Sequence, residues 1–143
     1  VAATPAPDRS GGTVQGGVVR AADVAPATDL AGHPRTAAHR LLRPGTPRSR
    51  WLHVTLDVIE FGGGIDPHRH DGVDADHAYF VISGTVRARI GVDYVDAGPD
   101  DLLVFPCDVV HGFTVTSRDG AKVLRLGAAA DGRTSGNSVF VDE

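Results

Sequence analysis

The chain is poor in several things that would each point somewhere definite. It has one cysteine, Cys107, so no disulfide can form within it and the fold must rest on its core. Lysine is nearly absent, and with arginine included the basic residues number 14 against 18 acidic ones. A formal charge of −4 leaves no basic footprint for nucleic acid or an anionic membrane. No apolar run approaches the roughly 20 residues of a membrane helix. Val1 to Gly17 lacks a charged stretch followed by an apolar one, so no secretory signal is expected. A soluble cytoplasmic protein fits best. At 143 residues and 41% hydrophobic content, one domain around one core is expected.

Residues 1–17 are rich in Ala, Pro, Gly and Thr and read as a loose arm. Residues 18–50 mix short apolar pairs, Val18-Val19 and Leu41-Leu42, with Pro26, Pro34, Pro44 and Pro47. That punctuation excludes a long helix and predicts short edge strands and turns. Covering those pairs against a partner's sheet edge would make a homodimer.

From Trp51 the pattern is β. In Trp51–Phe61, Leu52, Val54, Leu56 and Val58 fall on one face, and Trp51, His53, Thr55, Asp57 and Ile59 on the other. Gly62-Gly63-Gly64 breaks the run. It lacks the helix context of a phosphate loop and reads as a turn. Further strands are expected at 78–82, 86–90, 93–96, 102–105, from His111 through Val115, and at 121–126. Asn137–Val141 would close an edge. Short strands with frequent turns predict an all-β sandwich or barrel, with its core over 51–127 and a terminal edge segment over 128–143.

Histidine is where chemistry concentrates. His68 and His70 are two apart, so a strand puts both on one face. His77 shares a face with Tyr79 and Val81, and His111 with Phe113 and Val115. Each inward register therefore offers an imidazole and then apolar groups, which describes a metal in a greasy cavity. Trp51, Tyr79, Val81, Phe105 and Phe113 are the candidate cavity lining. His53 is the candidate proton carrier if its face lines the cavity. His33 and His39 read as ordinary polar groups. Arg87 and Arg89 read as a solvated face, and Cys107, in a turn, as inert.

The spacing also carries a resemblance. Gly62, five residues, His68-Arg69-His70, then His77, six residues and Gly84 is similar to the first motif of the cupin superfamily. Asp100, five residues, Pro106-Cys107-Asp108, two residues and His111 is similar to the second. The resemblance covers about residues 50–127 and implies a conical β-sandwich of jelly-roll type. Departures stand out. His77 occupies the position of the motif's glutamate. Six residues separate it from His70, where the motif has three or four. Asp100 and Asp108 replace glycines, and Val115 the final asparagine. Asp71, Asp74 and Asp76 lie in or beside the longer gap and are alternative third ligands; counting back from Gly84 favours His77.

A set of His68, His70, His77 and His111 resembles the small zinc polyketide cyclases of aromatic antibiotic biosynthesis, of the kind acting on resistomycin precursors. The resemblance implies Zn2+, with Fe2+, Ni2+ or Mn2+ as alternatives. It implies a small-molecule poly-β-ketone substrate delivered by polyketide synthase components. Four neutral imidazoles leave the cation's charge uncompensated, which favours an enolate-like oxygen and an aldol-type closure. Zinc with four protein ligands is ordinarily closed and structural, so catalysis requires five or six coordination. The competing readings are a cupin dioxygenase and a non-catalytic small-ligand module.

Overall fold

The computed structural model describes residues 14–71, 75–129 and 137–141. Ten strands follow one short 3-10 turn at Ala21–Asp23. They are β1 (Thr36–Leu42), β2 (Leu52–Ile59), β3 (Gly64–Asp71), β4 (Ala75–Ser83) and β5 (Val86–Ile90). Then come β6 (Asp93–Ala97), β7 (Leu102–Val104), β8 (His111–Val115), β9 (Ala121–Ala129) and β10 (Asn137–Phe140). Two five-stranded sheets result, in the orders β1-β2-β9-β4-β7 and β10-β3-β8-β5-β6. Every pairing between strands is antiparallel. The all-β sandwich expected from the strand spacing is therefore what forms. β1 and β10 each flank one sheet.

The core joins both sheets through Ile59, Ile65, Tyr79, Val81, Val86, Phe105, Phe113, Val115 and Val123. Removing such side chains from water is the main stabilising term in a fold of this kind. The inward column of each strand changes character along its length. Reading from the core outward, β2 presents Ile59, Asp57, Thr55 and His53; β9 presents Val123, Arg125 and Gly127; β4 presents Val81, Tyr79 and His77; β8 presents Val115, Phe113 and His111. One end of the sandwich is filled with apolar side chains and the other is lined by polar ones.

β2 turns its polar face inward. Asp57 is completely buried while Leu52 and Val58 are exposed. Trp51, at the start of this strand, is 42% exposed.

A bulge sets β3. Its pairing with β8 runs Gly64 to Thr114 and Ile65 to Phe113, then resumes at His68 to His111. The extra residue falls at Asp66-Pro67, where proline costs no ladder bond. Ile65 and His68 are three apart and would face opposite sides of a regular strand. The bulge turns both inward, and both are buried. Gly112 makes room for it: a Cβ there would lie 2.6 Å from the Ile65 carbonyl oxygen.

Candidate metal centre

His68 and His70 on β3 and His111 on β8 converge at the polar end. One nitrogen from each lies within 4.8 Å of the others, and all three residues are buried. Two of the rings are fixed in a ligand-ready tautomer. His68 Nδ1 donates to the Asp66 carbonyl at 2.8 Å, and His111 Nδ1 donates to the Val109 carbonyl at 2.8 Å. Each keeps its Nε2 lone pair for the interior, the arrangement in which neutral histidine binds metals. His70 Nδ1 reaches the Ser138 hydroxyl at 3.4 Å. Phe105 stacks on the His111 ring with centroids 4.9 Å apart, holding it in place.

The donor set fits a divalent cation of borderline softness. His111 Nε2 is buried with no hydrogen-bond partner, and His68 Nε2 stands 3.2 Å from His70 Nε2. Burial keeps these imidazoles uncharged. His111 is pulled down to about 4, first by desolvation and then by its neighbours His68 and His70. His68 and His70 are lowered as well, again chiefly by burial. A neutral, lone-pair-bearing cluster is what metal binding requires.

His77 belongs to the same end but not to the cluster. Its ring centroid is 5.6 Å from those of His70 and His111, close to the 5.4 Å between those two, but its nitrogens fall outside the group that lies within 4.8 Å. Its Nε2 lies 3.2 Å from the Tyr79 hydroxyl, and its Nδ1 is buried without a partner. The four-histidine set expected from the motif is therefore three converging imidazoles and a fourth beside them. The acidic alternatives do not join. Asp71 and Asp76 are exposed, with Asp71 paired to Arg69 at 3.0 Å, and Asp74 lies outside the described residues.

A cavity of about 320 Å³ opens beside the cluster. Of the expected lining, Tyr79 alone contributes. Val81, Phe105 and Phe113 are buried in the core below it, and Trp51 stands outside on the surface. Val81, Phe105 and Phe113 are taken up by the core, so the open space lies where the columns have turned polar.

What lines it instead includes Thr55, Arg125, Arg40, Arg43 and His33. His53 is there too, as its strand face required, with its ring centroid 5.9 Å from that of His77. It is drawn down to about 4 by burial and then by Arg125. His33, an ordinary polar group by its sequence, is half-buried in the cavity wall. No local pattern marks it. His39 is as unremarkable as expected, bonded through Nδ1 to the Val24 carbonyl at 2.8 Å. Arg125 was equally hidden, but its signal exists: it is the lone charge on the inward face of β9, opposite Asp57's neighbourhood on β2. The two form an ion pair at 2.9 Å, with Asp57 wholly buried.

A family model described as a cupin domain matches residues 56–126. These residues form a cupin domain. Solved structures agree with the cupin fold over most of the chain. The polyketide cyclase RemF from Streptomyces resistomycificus superposes with a TM-score of 0.70 at 20% identity, covering 90% of this chain and 87% of RemF. A predicted oxalate decarboxylase from Thermotoga maritima gives 0.68 at 16% identity, over 78% and 98% of the two chains. KdgF from Halomonas sp. gives 0.65 at 17%, over 80% and 94%. Such identities establish the shared fold. No curated protein sequence matches this chain. Among the described residues, no helix is long and apolar enough to cross a membrane.

Proposed function

We propose that this cupin is a metal-dependent polyketide cyclase that closes a ring in a poly-β-ketone by an aldol-type step followed by loss of water. The observation that carries the reading is the make-up of the cavity wall. Imidazoles and arginines line it, and no acidic side chain does among the described residues. His68, His70 and His111 would hold the cation, zinc by preference, and His77 would join them once it gives up Tyr79. When bound, the cation supplies Lewis-acid stabilisation of charge developing on a carbonyl oxygen.

The chain's own residues account for the remainder. A 1,3-dicarbonyl unit ionises to an enolate, and a wall without carboxylates does not repel it. His53 is neutral at ordinary pH and free to take the proton from the carbon between two carbonyls. Arg125 raises the energy of the imidazolium so formed, which favours giving that proton to the alkoxide left by ring closure; a second proton, taken from the same carbon, goes to the resulting hydroxyl as it leaves as water. At about 320 Å³ the cavity is at the small end for ligand sites, so it holds the closing segment in a bent form. RemF, a polyketide cyclase by name, has this fold, which is consistent with the reading.

The test is turnover of a short 3,5,7-trioxo acid by zinc-loaded protein, followed by mass spectrometry and an oxygen electrode. A product lighter by one water, with no oxygen consumed, is expected. Oxygen uptake with iron(II) and no cyclised product would replace the cyclase with a dioxygenase.

A further inference from the structure

The Arg125–Asp57 pair is incomplete. Arg125 Nη2 donates to Asp57 Oδ1 at 2.9 Å, and that is the guanidinium's only partner among the described residues. Its Nε is buried with nothing to donate to, and Asp57 Oδ2 is buried with nothing to accept from. A two-point fork, the preferred geometry of such a pair, would have used both. The guanidinium is instead turned so that Asp57 holds one corner while the side chain lines the cavity. Asp57 contributes no surface to that cavity, so the ligand meets the cation and not the acid that anchors it.

The surroundings amplify this. Arg40 and Arg43, both exposed, stand on the same wall as Arg125, and five histidines complete the polar lining. A protein of net charge −4 thus places three arginines and, among the described residues, no acidic side chain on its cavity wall. A field of this kind concentrates anions and steers them inward.

We infer that Arg125 seats a carboxylate of the substrate, so that this protein works on a free keto acid and not on a neutral ester or thioester. The identity of the reacting part rests on the cyclase reading above; the carboxylate seat does not. The carboxylate meets the part of the guanidinium that faces the cavity and that Asp57 does not hold, beside the buried Nε and not at it. Arg40 and Arg43 draw the acid to the mouth without holding it. It follows that a hydrolytic step must release the substrate from any carrier before it reaches this protein.

Calorimetric titration of the metal-stripped full chain with 3-oxohexanoate and with methyl 3-oxohexanoate tests the inference. The acid should bind about tenfold more tightly, the scale of one charged hydrogen-bonded contact. The double variant Asp57→Asn/Arg125→Gln, which removes the pair without leaving a buried charge, should abolish the preference. Should that variant fail to fold, the Arg125 Nε–H resonance of the natural chain serves: it should move on adding the acid and stay still with the ester. Equal affinities, a preference that survives the double variant, a preference that vanishes with Arg40→Gln/Arg43→Gln instead, or an unmoved resonance would each overturn the assignment. Metal takes no part in the measurement, so a failure of the cyclase reading leaves this result standing, and the reverse holds as well.

Discussion

The imidazole of His53 lies directly on Gly127. A Cβ built on that glycine would overlap the His53 ring at Nε2 and its two neighbouring carbons. Gly127 pairs with His53 on one side and with His77 on the other. The missing side chain on β9 is therefore the slot into which the His53 ring leans, and it lets His53 and His77, from different strands, face one cavity.

Alanine at Gly127 should evict His53 from that slot. Overpacking of this sort costs about 1–3 kcal/mol. The loss should be largely reversed in Gly127→Ala/His53→Ala, because the second change removes the atoms that clash. Denaturant midpoints of the two single variants and the double variant check this, and simple additivity would show that the two residues do not interact.

Much of this arrangement was legible beforehand and some was not. The strand that carries His68 and His70 followed from their spacing of two, and His111 from its motif. The fold followed from turns that recur along the chain. What alternation alone left open was which face of β2 looks inward. Leu52, Val54, Leu56 and Val58 are the more apolar set, yet Thr55, Asp57 and Ile59 are the buried ones. The reason lies in the partner strand: Arg125 on β9 gives Asp57 its countercharge, and no local rule on either strand reveals a match 68 residues apart. The cavity lining failed for a related reason. Face parity locates an inward residue but not its depth, so Phe113 and Val81 were assigned to open space that the core fills.

Metal affinity should rank the histidines. His68, His70 and His111 are already assembled, whereas His77 is held by Tyr79. Alanine at His111 should therefore weaken zinc binding beyond the roughly 10–100-fold that loss of a ligand's supporting hydrogen bond costs. Alanine at His77 should cost less than alanine at any of the three. Competition with a chromogenic chelator gives the order, and an equal or larger loss at His77 would make it an original member of the site.

Acid should act on the metal-free protein within a defined window. Isolated imidazole takes up its proton near 6.5, but burial lowers His33, His53 and His111 to about 4 and His77 to about 2. Between 6.5 and 4 the unfolded chain binds more protons than the folded one, so stability falls as pH falls through that range. Above 6.5 both states are neutral at these positions and their contribution is flat. The melting temperature of metal-free protein should drop steadily from pH 6.5 to 4, less so in His53→Gln. Zinc should likewise persist below the pH of roughly 6 at which an ordinary histidine would release it. Occupancy that stays undiminished well below pH 4 would exclude histidine ligands.

The ion pair should show opposite responses to single and double replacement. Asp57 is wholly buried and Arg125 nearly so, with side-chain exposures of 0% and 16%. Burial alone would push the Asp57 carboxyl above its ordinary range, and the charge and hydrogen bond of Arg125 oppose that. Asp57→Ala leaves the largely buried guanidinium without its countercharge and should cost about 3–5 kcal/mol, as broken buried pairs do. Asp57→Leu/Arg125→Met removes both charges at similar volume and should cost far less, because neither desolvation penalty remains. The double variant would still fold around its three histidines and bind zinc. Thermal melts beside zinc titrations separate the two roles. If the double change destabilises as much as the single one, the pair is a net contributor to the fold and its tilt toward the cavity is incidental to ligand binding.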